Sequence, residues 1–169
     1  ITDKDITHTS QRMYSIGEAN ITVENISSDM CIIDDFSLIN SYYPVKNEAY
    51  FNCSDSFINK LYNICMHTLK ICRQNTHLDS PTHQEPIACT GDYYIQALME
   101  YLNIYDPSLT AFDIFRTCQM LTHQNGRMFH TSYSLIVPMW LYDYYMFTGD
   151  KKLLKKSKNA IECLLSTFD

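Results

Sequence analysis

Three carboxylates fall within one short, proline-broken stretch: Asp79-Ser80-Pro81-Thr82-His83-Gln84-Glu85-Pro86-Ile87-Ala88-Cys89-Thr90-Gly91-Asp92. Carboxyl groups held close together raise one another's pKa, so that one stays protonated near neutral pH and can donate its proton. A proline disfavours helical backbone in the residue before it, which pushes Ser80 and Glu85 towards extended geometry. The stretch therefore reads as a loop carrying acids at its start, middle and end. The same residue types also serve plain turns, with Asp79 and Asp92 as helix caps and Glu85 in solvent. His77, Asp79 and His83 are ordinary metal-ligand types. Their spacing fits no metal motif, so polar loop contacts are expected, with no metal and no cofactor.

Helical periodicity on both sides must position this loop. Before it, Phe57, Leu61, Ile64, Cys65, Thr68 and Leu69 recur at three and four, predicting a helix from a Ser54 or Ser56 cap to about Arg73. After it, a helix opening near Asp92 runs through Ile95, Leu98, Met99 and Leu102. A third begins at Asp106-Pro107 and buries Ala111, Ile114, Phe115, Cys118 and Leu121. Gln124-Asn125-Gly126 is a turn. A fourth helix covers roughly 132–147, starting late or kinking at Pro138. A fifth carries Leu153, Leu154, Ala160, Ile161, Leu164, Leu165 and Phe168 on one face, with its lysines on the solvated side. Short turns between successive helices imply antiparallel hairpins. Residues 1–48 differ. Ile21–Ile26 and Met30–Ile33 are β-branched, partly alternating and bounded by Asn, Ser and Asp, which predicts strands. The expected division is a β-rich tail and linker over 1–48 and a helical domain over 49–169.

The 169 residues are 46% hydrophobic, enough for a modest core and too apolar for disorder. A net charge of −6 without a basic stripe argues against nucleic acid and anionic membrane as partners. No apolar run approaches the ~20 residues that span a bilayer. The seven cysteines contain no Cys-x-x-Cys pair and read as reduced thiols of a cytoplasmic protein. The three Asn-x-Ser/Thr matches are read as chance. The chain opens on Ile1 rather than Met, so it reads as a fragment with its upstream part missing. The single tryptophan, Trp140, and the thirteen tyrosines offer stacking surfaces for a ring-shaped ligand, with core packing as the plainer role.

The acid loop resembles that of the α-L-rhamnosidases, glycoside hydrolase family 78, in which Asp-Cys-Pro-x-Arg-Glu precedes Trp-Thr-Gly-Asp. Tyr43-Pro44-Val45, the Phe51–Asp55 segment before the first helix, and Tyr142-Asp143-Tyr144-Tyr145 with Thr148-Gly149-Asp150 extend the resemblance over roughly 43–169. His83-Gln84 stands in place of the family's Arg, one residue longer, and Cys89 in place of its Trp. The resemblance implies a mainly α fold: the opening hairpins of an (α/α)6 six-hairpin barrel, after a β-sandwich. It implies an inverting glycosidase removing terminal α-L-rhamnose. Glu85 matches the general acid, and Asp79 and Asp92 the flanking acids that contact the sugar. His83 and His130 become candidate sugar contacts, and Trp140 a candidate substrate wall. The family's general base lies later than residue 169, so the remainder of the barrel would be this chain's partner and the chain alone would be inactive. Two other classes remain open: a catalytically silent carbohydrate-binding relative, and a helical assembly segment whose loop acids are caps.

Overall fold

The structure, a computed structural model, describes residues 7–10, 14–24, 32–83 and 89–168. It divides into two compact units, Ile1–Ile39 and Asn40–Asp169. In the first unit the described residues form neither helix nor strand, and their side chains are exposed. The strands expected at 21–26 and 30–33 are thus not seen at 21–24 or 32–33, and residues 25–31 lie outside the described residues. Alternation supplies a strand's pattern, but a strand also needs a neighbour to take its N–H and C=O groups.

The second unit is helical. Its elements are α1 (Ser56–Ile71), α2 (Thr90–Asn103), α3 (Ser108–His123), α4 (Thr131–Thr148) and α5 (Lys151–Leu165). Asp55, rather than Ser54 or Ser56, caps α1, its Oδ1 accepting from the backbone N–H of Phe57 and Ile58. Asp106 Oδ1 accepts from Ser108 N at the start of α3. Asp150 caps α5 through Lys152 N and Leu153 N. α4 runs unbroken through Pro138. The turn into α4 needs Gly126: φ is +77° there, and a Cβ would collide with the carbonyl oxygen of Cys163.

α2 lies beside α4 and α3 beside α5, while α2 and α3, α3 and α4, and α4 and α5 also touch, so the hairpins form two layers. Tyr93, Ala97, Ile114, Leu121, Val137, Trp140 and Leu164 fill the space between them, all without exposed surface. α1 closes a smaller cluster, in which Met66 and Leu69 meet Ile104, supported by Val45 and Tyr62.

The expected buried faces of the first two helices are corrected. Phe57, Leu61 and Ile64 of α1, and Ile95, Met99 and Leu102 of α2, are exposed. α2 instead buries Tyr93, Gln96, Ala97, Glu100 and Tyr101. Periodicity marks an apolar stripe but not which side the neighbouring helices cover, and here a side with two polar residues is the covered one. Leu135, Met139, Tyr142 and Met146 make a similar exposed stripe on α4.

Candidate functional site

The acid loop leaves α1 through a stem fixed by charge. After Ile71 the chain folds back on itself: Arg73 and His77 form an antiparallel bridge, and Leu78 N donates to Cys72 O at 2.9 Å. His77 is fully buried. Its backbone N–H and its ring Nδ1 both meet Asp113 Oδ2 of α3, at 2.9 and 2.7 Å, and its Nε2 lies 2.9 Å from Glu100 Oε1 of α2. Thr76 Oγ1 also donates to Asp113. Glu100 is ion-paired with the buried guanidinium of Arg73, which reaches Asp106 at 3.4 Å. Arg116 donates to Thr76 Oγ1 at 3.1 Å from the rim. Gln96 Nε2 donates to Leu78 O at 2.6 Å and holds the stem against α2.

This arrangement favours charge on His77. A neutral imidazole carries one N–H and one lone pair. With a carboxylate oxygen at each ring nitrogen, the imidazolium is the form in which both nitrogens can donate. Burial alone pulls its pKa down, but the hydrogen bonds to Asp113 and Glu100, and their charges, outweigh that and leave it above the ordinary histidine value.

Beyond the stem, Asp79 is largely covered. Its Oδ2 accepts from Ser80 Oγ at 3.3 Å and lies 3.5 Å from Nδ1 of the exposed His83, while His83 N donates to Ser80 Oγ at 3.0 Å. Burial, helped by the charge of Asp79, pushes the nearby Cys72 thiol up to about 11. Glu85, in segment 84–88, lies outside the described residues. The chain is described again from Cys89, where α2 begins.

There the N-termini of α2 and α4 meet. Thr90 Oγ1 donates to Tyr133 O at 2.7 Å, and the Tyr133 hydroxyl donates to Asp92 Oδ2 at 3.2 Å. Gly91 allows this, since a Cβ there would fall 3.0 Å from the Tyr133 ring. Asp92 sits in the first turn of α2, where the helix dipole favours a carboxylate. His130 lies edge-on to Tyr133 with centroids 5.3 Å apart, and Phe129 lies 3.8 Å from His130. The structure thus brings Asp92 and His130 into one corner and pairs Asp79 with His83. Leu78, held by Gln96, places Asp79 one residue beyond a point one helical turn from Asp92.

Trp140 joins neither group. It has no exposed surface and packs 6.4 Å from Tyr93 in the core, so it forms no wall of an open cleft. With both its nitrogens taken by Asp113 and Glu100, His77 likewise does not share a ligand with Asp79 and His83. Two surface grooves, of about 540 and 300 Å3, run along α1 by Asn59, Asn63 and His67, and none of the expected site residues lines either. Sequence reasoning missed Tyr133 and the partners of His77. One signal was available: Asp113 interrupts the buried stripe of Ile114, Thr117, Cys118 and Leu121, and an acid in such a stripe calls for a buried cation.

A two-layer array of α-hairpins with an acid-bearing loop between its first two helices is the setting of a six-hairpin glycoside hydrolase domain. The family model of the bacterial alpha-L-rhamnosidase 6 hairpin glycosidase domain matches residues 46–168, and the chain belongs to that family. No curated protein matches the chain. No solved structure matches it.

Proposed function

We propose that this chain carries the general-acid half of an inverting α-L-rhamnosidase. Glu85 donates its proton to the glycosidic oxygen as the bond from that oxygen to the anomeric carbon breaks. Water attacks the anomeric carbon from the opposite face and gives up its proton to a second carboxylate. That general base is read as belonging to a part of the barrel following residue 169. Asp79 and Asp92 hold the sugar, and their negative charge keeps Glu85 protonated. The carrying observation is the fixing of both flanks of the loop: the buried stem at His77–Leu78 on one side, and Asp92 under the Tyr133 hydroxyl on the other. Phe129 and His130 offer an apolar ring face beside Asp92, suited to the C–H face of a deoxy sugar or its aglycone.

The test compares natural and activated aryl rhamnosides in the intact protein. Glu85→Gln should lose ~10²–10⁴-fold in rate on a natural rhamnoside and far less on an activated one, because a good leaving group hardly needs protonation. Sugar binding should survive. Asp79→Asn and Asp92→Asn should weaken binding and shift the pH profile. Full activity of Glu85→Gln on a natural rhamnoside removes Glu85 from the mechanism, and rhamnose binding without any turnover identifies a silent carbohydrate-binding relative.

A further inference from the structure

The buried charges behind the acid loop are more numerous than a structural tether requires, and their connectivity is asymmetric. His77 is reached from every element packed around it: Arg73 within its own stem, Glu100 and the Tyr93 ring from α2, Asp113 and Arg116 from α3, and Asp106 from the α2–α3 connection through Arg73. Towards α3 the stem has several tethers: the His77 backbone N–H, the ring Nδ1 and the Thr76 hydroxyl all end on Asp113. Towards α2 the ring offers one contact, Nε2 to Glu100, beside the Arg73–Glu100 ion pair and the bond from Gln96 to the Leu78 carbonyl.

We propose that His77 is a positioning residue for the reaction read above: as a buried imidazolium it registers the acid loop on α2 together with Arg73 and Gln96, and its deprotonation loosens that register. This rests on the glycosidase reading for its consequence, not for its geometry. When the ring loses a proton, one of its two nitrogens faces a carboxylate with a lone pair. The Asp113 side keeps the backbone N–H, the Thr76 hydroxyl and Arg116. Glu100 keeps Arg73. The contact that gives way is Nε2 to Glu100, which leaves the stem on α2 through Arg73 and Gln96 alone while Asp113 holds it on α3. α2 is the helix that carries Asp92, whereas Asp79 and Glu85 follow the stem. Neutral His77 thus loosens the coupling between the two flanking acids. The sign follows from the direction of the pKa: a histidine raised in the folded state holds its contribution below about pH 6.5 and loses it as pH rises through the folded value.

The experiment uses the intact protein, with three readouts. Ring nitrogen NMR should show His77 as an imidazolium at neutral pH, and Glu100→Gln should lower the pH at which it deprotonates. Hydrogen exchange at the Gln96 side-chain amide, which donates to Leu78 O across the seam between stem and α2, should accelerate beyond its intrinsic rate as His77 titrates, and should do so at lower pH in Glu100→Gln. The basic limb of kcat should move to lower pH in Glu100→Gln, with KM changing less than kcat. His77→Gln should lower kcat across the whole pH range by up to about 10²-fold, the cost of a small misplacement. A neutral His77 ring at pH 6–7, or Gln96 amide exchange indifferent to its titration, overturns the proposal, and the wild-type protein alone reads both should the variants not fold. If the intact protein cleaves no rhamnoside, the glycosidase reading fails, while the ring and exchange measurements still decide the role of His77.

Discussion

Replacing Arg73 by Met is the sharpest test of the buried network, since it deletes a charge while keeping most of the apolar stem. Arg73 and Glu100 both have side chains without exposed surface, and Arg73 also reaches Asp106 at 3.4 Å. Its guanidinium lies 5.3 Å from the centre of the Tyr43 ring. In the variant, Glu100 keeps only His77. Breaking a buried ion pair from one side costs about 3–5 kcal/mol, because the remaining charge has already lost its water. Against a total stability of about 5–15 kcal/mol, that is a large fraction. At roughly 2–4 °C per kcal/mol for a chain of this size, the melting temperature should fall by about 6–20 °C. The assay is urea unfolding followed by helical circular dichroism near pH 6, where His77 is charged. Adding Glu100→Gln to Arg73→Met should recover part of the loss, since the stranded charge is then gone. A loss for Arg73→Met below about 1 kcal/mol, the scale of a surface pair, would refute the network as drawn.

Trp140, the only tryptophan, should emit as a buried indole, resist iodide quenching, and stay unchanged when rhamnose binds; quenching relieved by sugar would return it to the site. Among the described cysteines, thiol labelling of the native protein should modify the exposed Cys65 first and spare Cys72, which burial pushes up to about 11, as well as the buried Cys89 and Cys118, until unfolding; early loss of Cys72 would contradict its placement. Asp150→Ala should cost about 1 kcal/mol at neutral pH through the lost cap of α5. Hydrogen bonds from the Leu153 and Lys152 backbone hold the Asp150 pKa below the usual carboxylate value, so wild type should lose this advantage as pH falls below about 4, and a difference persisting there would count against the cap.

All five helices were legible because the signals that make them are local. Asp106 before Pro107 marks the start of α3 in sequence and accepts from Ser108 N in space, and Gln124-Asn125-Gly126 turns where it should. The faces were less legible. On α3 and α5, Ile114, Cys118, Leu121, Leu153, Ala160 and Leu164 are buried as their spacing predicts, while Phe115, Leu154, Leu165 and Phe168, expected on the same faces, are exposed. On α1 and α2 the longer apolar stripes lie outward, and the buried side of α2 contains Gln96 and Glu100. Single-sequence periodicity reads those two as solvent positions. Only their partners, Leu78 O, His77 and Arg73 in the preceding loop, make the inward side tolerable to them. Those partners lie far along the chain, and nothing local announces them.

The loop itself explains why its support is polar. From Asp79 to Gly91 it offers proline, serine, threonine and histidine but little apolar bulk before Ile87. Such a segment cannot anchor itself by burying hydrophobic surface, whose contribution scales with apolar area. Its stem can be fixed only through directed contacts, and charged hydrogen bonds are the strongest of these. The cost is the desolvation of Arg73, His77, Glu100 and Asp113. Apolar residues of similar volume at those four positions would often give a domain as stable or more so. They would not set Leu78 at one height along α2, because apolar contacts tolerate sliding where a ring nitrogen opposite a carboxylate does not. The network is therefore better understood as fixing where the acids stand than as holding the helices together. An apolar replacement set, such as Arg73→Met with His77→Phe, Glu100→Leu and Asp113→Leu, should separate the two roles: thermal stability kept or raised, with kcat on a natural rhamnoside lost. If both properties survive in that variant, the charges register nothing and are tethers alone.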